Sequence, residues 1–270
     1  MSEFISSPAN RLIKEVISLK QKKYRDSLGL FIAEGVRLIE ECAVAGWSVA
    51  TCIYTEAAAA RDRTRSLIER LEKLNCQLAV VPDSLYNKIS DTEQPQGIMV
   101  IVKKRQATLE SMVAAGENPP LVVVLDGIQD PGNVGTIIRT ADAAGCTGVI
   151  ALKGSADIYA GKTVRASMGS LFHLPVVEGI TSLELITWLQ RCRVRLLATS
   201  LQQSELYYRT KLACPVAIVL GNEGQGVSPE LLEAADSCVN IPLIGQAESL
   251  NVAVAAGIIL YEAVRQRSTL

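Results

Sequence analysis

The chain has 270 residues, of which 49% are hydrophobic, 20% charged and only 4% aromatic, and its formal net charge is −1. That is enough for one large domain or two modest ones with a real core. With so few aromatics the core must be aliphatic, as in α/β proteins with parallel sheets. The seven cysteines form no CxxC and no close pair, and His173 is the single histidine. This argues against a disulfide framework, a zinc site and any scheme that needs two histidines. The N-terminus, MSEFISSPAN, has no apolar signal core, and the apolar run at 252–260 is short of the roughly 20 residues a membrane span needs. The expectation is a soluble cytoplasmic protein.

The charge is unevenly placed. Residues 1–105 hold 16 Lys+Arg against 13 Asp+Glu, a net +3, and residues 106–270 hold 11 against 15, a net −4. Arg11, Lys14, Lys20, Lys22, Lys23 and Arg25 cluster near the N-terminus, opposed by Glu3, Glu15 and Asp26. Such clustering is the electrostatic footprint of a nucleic-acid binder, although composition alone favours a solvated helix face.

Taken in order, residues 8–21 predict a helix with Leu12, Val16 and Leu19 on one side. A strand at 28–33 leads through Glu34-Gly35 to a helix that turns Val36, Ile39, Cys42 and Ala43 inward. Strands follow at 49–54, 78–81 and 97–102, separated by helices at 57–74 and 84–89. The alternation predicts a small α/β domain over 1–105. Residues 106–118, with Gly116 and Asn118, read as a linker with a short helix near 109–114. A second α/β domain spans 119–270. Its strands are expected near 121–125, 147–151, 174–177, 194–199, 215–220 and 237–241, and its helices near 133–144, 162–168, 182–191, 229–235 and 250–267.

Three polar blocks follow buried strands in this second domain. The first, 126–145, passes from Asp130-Pro131-Gly132-Asn133 into a helix of small apolar residues that carries a lone arginine, Arg139. Loops of this kind lie where open α/β sheets bind ligands, and a helix start favours an anion or a polar group. The bland alternative pairs Arg139 with Asp126 or Asp142. The second block, 220–226, is LGNEGQG. Its glycines allow close backbone approach to a ligand, but without a lysine or Walker spacing it does not read as a nucleoside triphosphate site. The third, 241–251, leads into the last helix, which Ser249 can cap. Ala253 and Gly257 give that helix a face for close packing, in the core or against a second subunit.

The stretches DPGNVGTIIRTADAAG, VLGNEGQGVSPE and IPLIGQAESLNVAVAAGIILYEAVRQ, in this order, resemble the three signature motifs of the SpoU–TrmH family of the SPOUT superfamily. RASMGSLFHLPV fits the family pattern between the first two. SPANRLIKEVISLKQKKYRDSLGLFIAEG and SDTEQPQGIMVIVKK resemble the family's ribosomal-protein-like substrate-binding domain. The resemblance implies a C-terminal SPOUT α/β domain with a deep trefoil knot, a smaller N-terminal α/β RNA-binding domain, and a homodimer. It implies methyl transfer from S-adenosylmethionine to an RNA ribose 2′-hydroxyl without a metal. Ribosomal RNA is favoured over tRNA; the alternatives are a tRNA ribose methyltransferase and a non-catalytic RNA-binding protein.

By the same resemblance Arg139 acts on the 2′-hydroxyl, with Asn133 and Glu223 holding it and the substrate, and Ser249 and Asn251 facing the reacting groups. Gly221, Ile241 and Leu250, with Leu220 and Thr199, fall at cofactor-binding positions. Arg11, Lys14, Lys22, Lys23 and Arg25 are the RNA-binding candidates. Arginine holds its proton too tightly for an ordinary base, so Arg139 is expected to orient the hydroxyl and a neighbouring phosphate. No GxGxG follows the first strand of either domain, and no cysteine lies in the blocks beyond Cys146 at the edge of the first. These absences argue against a classical methyltransferase and a cysteine-nucleophile base methyltransferase.

Overall fold

The computed structural model describes residues 2–113, 119–202 and 204–268. The chain divides into two compact units, Met1–Arg105 with Tyr159–Phe172, and Gln106–Ile158 with His173–Leu270.

The first unit runs β1 (Glu3–Phe4), α1 (Arg11–Ser18), α2 (Lys22–Leu28), β2 (Leu30–Glu34), α3 (Val36–Val44), β3 (Val49–Tyr54), α4 (Glu56–Ala59), α5 (Asp62–Lys73), β4 (Gln77–Val80), α6 (Asp83–Ile89) and β5 (Ile98–Lys103). Its sheet has the order β1-β4-β3-β5-β2. β1, β4 and β3 are parallel, while β5 is antiparallel to β3 and β2. Ile13, Val16 and Leu19 from the α1 region pack on Ile53, Met99 and Ile101 of the sheet.

Two helices depart from the sequence pattern. α2 falls where no apolar period exists, because the one residue it buries is Arg25. The helix expected over 57–74 is two helices. The alanines of α4 hang from Thr55, whose Oγ1 accepts from Ala58 N at 3.2 Å, and α5 restarts at Asp62 to bury Leu67, Ile68 and Leu71.

The second unit runs β6 (Leu121–Asp126), α7 (Pro131–Ala143), β7 (Gly148–Leu152), β8 (Val176–Ile180), α9 (Ser182–Cys192), β9 (Arg195–Thr199), β10 (Glu205–Leu206), β11 (Val216–Gly221), α10 (Pro229–Ala234), β12 (Ser237–Asn240) and α11 (Val252–Arg267). Between β7 and β8 lies α8 (Gly161–Ala166), which belongs to the first unit. The sheet order is β10-β12-β9-β11-β6-β7-β8 and every pair is parallel. The central strands read as unbroken apolar runs because both faces are covered, and all of β6 but Asp126, all of β7 and all of β11 are buried. β1 and β10, two residues each, are too short to leave a period.

The expected linker is in part core. Leu109–Met112 forms a 3-10 turn, and Met112 is fully buried among Val122, Ile150 and Leu185. Residues 114–118, the rest of the expected short helix, lie outside the described residues.

The segment Tyr159–Phe172, expected in the second domain, packs in the first unit. The reason is aromatic. Phe31 sits 4.8 Å from Tyr159 and Trp47 5.2 Å from Phe172, ring centre to ring centre. Trp47 Nε1 also donates to Phe172 O at 3.0 Å. A chain poor in aromatics thus spends four of them on one cluster.

The end of α11 is tied down by one side chain. Arg267 donates to the carbonyls of Leu212 (3.0 Å), Pro120 (3.1 Å), Cys214 (2.8 Å) and Pro119. Hydrogen bonds from charged groups contribute roughly 1.5–3 kcal/mol, and carbonyls left bare cost more. Arg267→Ala should therefore lower stability by about 2–3 kcal/mol in urea unfolding. Arg267→Lys should recover only part, since one ammonium cannot span the same fork. A loss under about 0.5 kcal/mol for the alanine variant would show that the clamp carries little.

Candidate active site

The site is built by strand register. β6 and β11 are neighbours, with Leu125 opposite Leu220 and Asp126 opposite Gly221. Both strands end at the same sheet edge, so the loops of the first two blocks leave side by side. From β6 the chain continues outward to β7 and β8, while β11 lies on the other side. This is a topological switch point, where open parallel sheets bind ligands.

Hydrogen bonds then lock the loops together. Ser228 N donates to Asp126 Oδ2 at 2.7 Å, and Asn222 Nδ2 donates to Gly127 O at 2.8 Å. Asn222 Oδ1 accepts from Gly224 N (2.9 Å) and Gln225 N (3.0 Å), which folds the glycine loop on itself. Gly221 is required by this fold: a Cβ there would lie 2.2 Å from the backbone of Gly226 and Val227. On the first loop, Asp130 caps α7 by accepting from Asn133 N at 2.9 Å, with Pro131 in the first turn.

One polar chain joins all three blocks. Asn133 Nδ2 donates to Glu223 Oε1 at 3.0 Å, and Asn251 Nδ2 donates to Asn133 Oδ1 at 3.0 Å. Gln129 N donates to the other carboxylate oxygen of Glu223 at 3.3 Å. At the far end Asn251 Oδ1 accepts from Ala253 N and Val254 N, so Asn251 caps α11. The cap expected from Ser249 is thus made two residues later. Burial opposes ionisation of Glu223, but the hydrogen bonds from Asn133 and from backbone N–H groups outweigh it and hold its carboxyl below its ordinary value of 4.5.

Arg139 is exposed on α7, and among the described residues it makes no hydrogen bond or ion pair. It pairs with neither acid of the bland reading: Asp126 holds Ser228 N, and Asp142 sits 3.0 Å from His173 Nδ1. Nor do Asn133 and Glu223 hold it, since they hold each other. Ser249 and Leu250 are exposed beside Asn251. Leu220 is buried at 1% exposure, which leaves its backbone rather than its side chain for a ligand. Thr199 Oγ1 donates to Val219 O at 3.0 Å, and Ile241 is half-buried at the end of β12. Burial pushes the Cys146 thiol up to about 12, far from a nucleophile's range.

In the first unit Arg11 and Lys14 are exposed on α1. Lys22 lies 3.7 Å from Asp26, and Lys23 stands 5.9 Å from the Tyr24 ring centre. Arg25 is a correction: it is 4% exposed and donates to Leu19 O at 2.8 Å, so it joins α2 to the end of α1 and does not face RNA. Sequence reasoning missed Gln129, Asn222 and Ser155, which shape the loops. The Asn-Glu-Gly step at 222–224 was the available signal for one of them. Among the described residues there is no metal-binding cluster and no helix long and apolar enough to cross a membrane.

The model of the SpoU rRNA Methylase family matches residues 120–261, and that of the MRM3-like substrate binding domain matches residues 10–100. The chain belongs to the SpoU rRNA methylase family. It is 35% identical to the 23S rRNA (guanosine(2553)-2′-O)-methyltransferase RlmP of Bacillus subtilis (strain 168) over 257 residues, 95% of this chain and 97% of that one. The AdoMet-bound rRNA methyltransferase from Sinorhizobium meliloti superposes with TM-score 0.88 at 33% identity over 98% of each chain. The SpoU methyltransferase AviRb from Streptomyces viridochromogenes, solved with AdoMet, gives TM-score 0.88 at 31% identity over 96% and 99% of the two chains.

Because the folded pKa of Glu223 is depressed, its stabilisation is complete at neutral pH. It fades as pH falls below its ordinary 4.5 and is lost below the depressed folded value. The gap in melting temperature between the wild type and Glu223→Gln should therefore close across that acid window. A gap independent of pH would refute the ionic role. Asn251→Ala should cost about 1 kcal/mol from the lost cap. Asn251→Asp should keep the cap but set a carboxylate oxygen against Asn133 Oδ1, so its loss reports the Asn133 contact, which urea titration of the two variants would separate from the cap.

Proposed function

We propose that this chain transfers a methyl group from S-adenosylmethionine to a ribose 2′-hydroxyl of ribosomal RNA, in the cytoplasm and as a homodimer with a knotted C-terminal segment. The observation that carries the reading is the Glu223–Asn133–Asn251 chain, which draws three distant blocks to one sheet edge. The residues fit the cofactor. From 241 to 250 the main chain makes no hydrogen bond among the described residues, and Ile241, Ile244 and Leu250 stand along it. A neutral adenosine needs such amide donors and acceptors with apolar walls. When bound, S-adenosylmethionine supplies a methyl carbon made electrophilic by its sulfonium.

The chain's part is to position the attacking oxygen and favour loss of its proton. Arg139 has five N–H donors and no acceptor, so it orients the 2′-oxygen, stabilises charge developing there and holds an adjacent phosphate. In this reading Ser249, exposed and without a hydrogen bond among the described residues, and Asn251, tied to Asn133, face the reacting groups with it. For the dimer, α11 exposes Val254 (52%) and Tyr261 (53%), and the segment before it exposes Ile244 (97%). This apolar strip suits a second copy. The likeness to a 23S rRNA methyltransferase over 95% of the chain favours a ribosomal target.

The test is label transfer from radioactive S-adenosylmethionine to unmodified ribosomal RNA and to unmodified tRNA, followed by alkaline digestion. Label in alkali-resistant dinucleotides from ribosomal RNA is the expected result. Label only in tRNA would overturn the substrate, and label in single nucleotides would overturn the ribose. Arg139→Ala should lower kcat by about 10²–10³, and a fully active Arg139→Lys would sink the guanidinium-specific role.

A further inference from the structure

The first unit contains a groove of about 240 Å³ that the reaction above does not use. Its walls include Arg37 at the start of α3, Thr92, Gln94 and Gln96 before β5, and Arg165 and Met168 from the Tyr159–Phe172 segment. A smaller cavity of about 40 Å³ adjoins it and shares Glu34 and Arg165. The groove lies below the roughly 300–1,000 Å³ of pockets that enclose a whole small ligand. It is the size for one ring system with its polar substituents outside.

Arg165 is the telling residue. It is half-buried, yet among the described residues its guanidinium makes no hydrogen bond or ion pair. A half-buried guanidinium without a protein partner keeps its donors for water or for a ligand that enters the groove. The fold makes room for it: a Cβ on Gly161 would lie 3.2 Å from Arg165 Nη1, tighter than ordinary contact. The neighbouring acids are engaged elsewhere. Asp91 is 2.7 Å from Lys20 Nζ, and Glu40 accepts from Arg63 Nε at 2.8 Å. Glu34 Oε1 accepts from the hydroxyls of Ser90 (2.5 Å), Thr92 (3.1 Å) and Tyr86 (3.2 Å). Arg37, exposed on α3, makes no hydrogen bond or close ion pair among the described residues; Glu40, held by Arg63, acts on it only through space. Gln96 Oε1 accepts from Val36 N at 2.8 Å, which fixes the amide and leaves its N–H groups to donate. Met168, 40% exposed, supplies a soft apolar wall.

We propose that this groove holds one unstacked nucleotide of the RNA substrate, with its phosphate on Arg37 and Arg165 and its base edge on Gln94 and Gln96. Guanidinium groups bind phosphate in bidentate fashion, and amides read base edges. Sequence-selective RNA recognition targets splayed, single-stranded bases of this kind. The proposal rests on the reading of the chain as an RNA enzyme and adds where a nucleotide other than the methylated one is gripped.

The test is fluorescence anisotropy without S-adenosylmethionine, using a short labelled single-stranded RNA of mixed sequence and its duplex. The single strand should bind the wild type more tightly than the duplex. Arg37→Gln and Arg165→Gln should each weaken single-strand binding about 5–10-fold and lower the slope of log Kd against log salt by about 0.7. Arg165→Lys, which keeps the charge, should lie between, and Gly161→Ala should weaken binding without changing the slope. In label transfer to ribosomal RNA, the same variants should raise KM and leave kcat at saturation unchanged. Unchanged Kd and KM in the double glutamine variant, with methyl transfer intact, would overturn the groove alone, as would a loss that falls equally on the duplex. Arginine-dependent single-strand binding in a protein that methylates no RNA would keep the groove and sink the methyltransferase reading.

Discussion

The parallel pairing of β6 with β11 is the constraint on which the site depends. Leu125 and Leu220 face each other, so the two loops that follow begin within one strand spacing, although about 95 residues separate them in the chain. Nothing in either loop could arrange this locally. The strands are buried on both faces, and a slip in register would separate Asp126 from Ser228 N and Gly127 from Asn222. The apolar core therefore does more than stabilise the sheet. It sets the distance at which short polar contacts between the loops can form.

Those contacts have a direction. Glu223 accepts only, so Asn133 must turn its NH2 toward it and its Oδ1 away. Asn251 must then offer its NH2 to Asn133 and keep its own Oδ1 for the N–H groups of α11. One carboxylate at one end and one helix start at the other thus decide the orientation of both amides. A chain of hydrogen bonds anchored on a charge is polarised along its length, which strengthens each bond. Replacing Asn133 with aspartate would set two acceptors against each other, so the residue type is dictated by its place in the chain.

Much of this was legible in the sequence, and the failures have physical causes. The strands of the second unit were readable because parallel strands covered on both faces are continuous apolar runs, such as 121–124 and 216–220. Asn133, Glu223 and Asn251 could be singled out, but not their mutual bonds, because register is a tertiary quantity. α2 escaped because it buries an arginine rather than an apolar stripe. For the same reason Arg25, one cation in a basic run, could not be told from its exposed neighbours: composition counts charge but not burial. The place of Tyr159–Phe172 was hidden because its determinants, Phe31 and Trp47, lie more than a hundred residues earlier.

The pattern of satisfied and unsatisfied groups divides the site by role. Asn133, Glu223, Asn222 and Asp126 have their hydrogen bonds filled by the protein, so they hold geometry and have little left for a substrate. Arg139, Ser249 and the main chain of 241–250 make no such bonds among the described residues. A polar group kept without an internal partner is tolerable where water or a ligand can serve it. The same distinction separates Arg25 from Arg165 in the first unit. Both are arginines at least half-buried, but Arg25 has Leu19 O as its acceptor and Arg165 has none among the described residues. Residue type alone would treat them alike; their hydrogen-bond accounts commit one to the fold and leave the donors of the other free for water or a ligand.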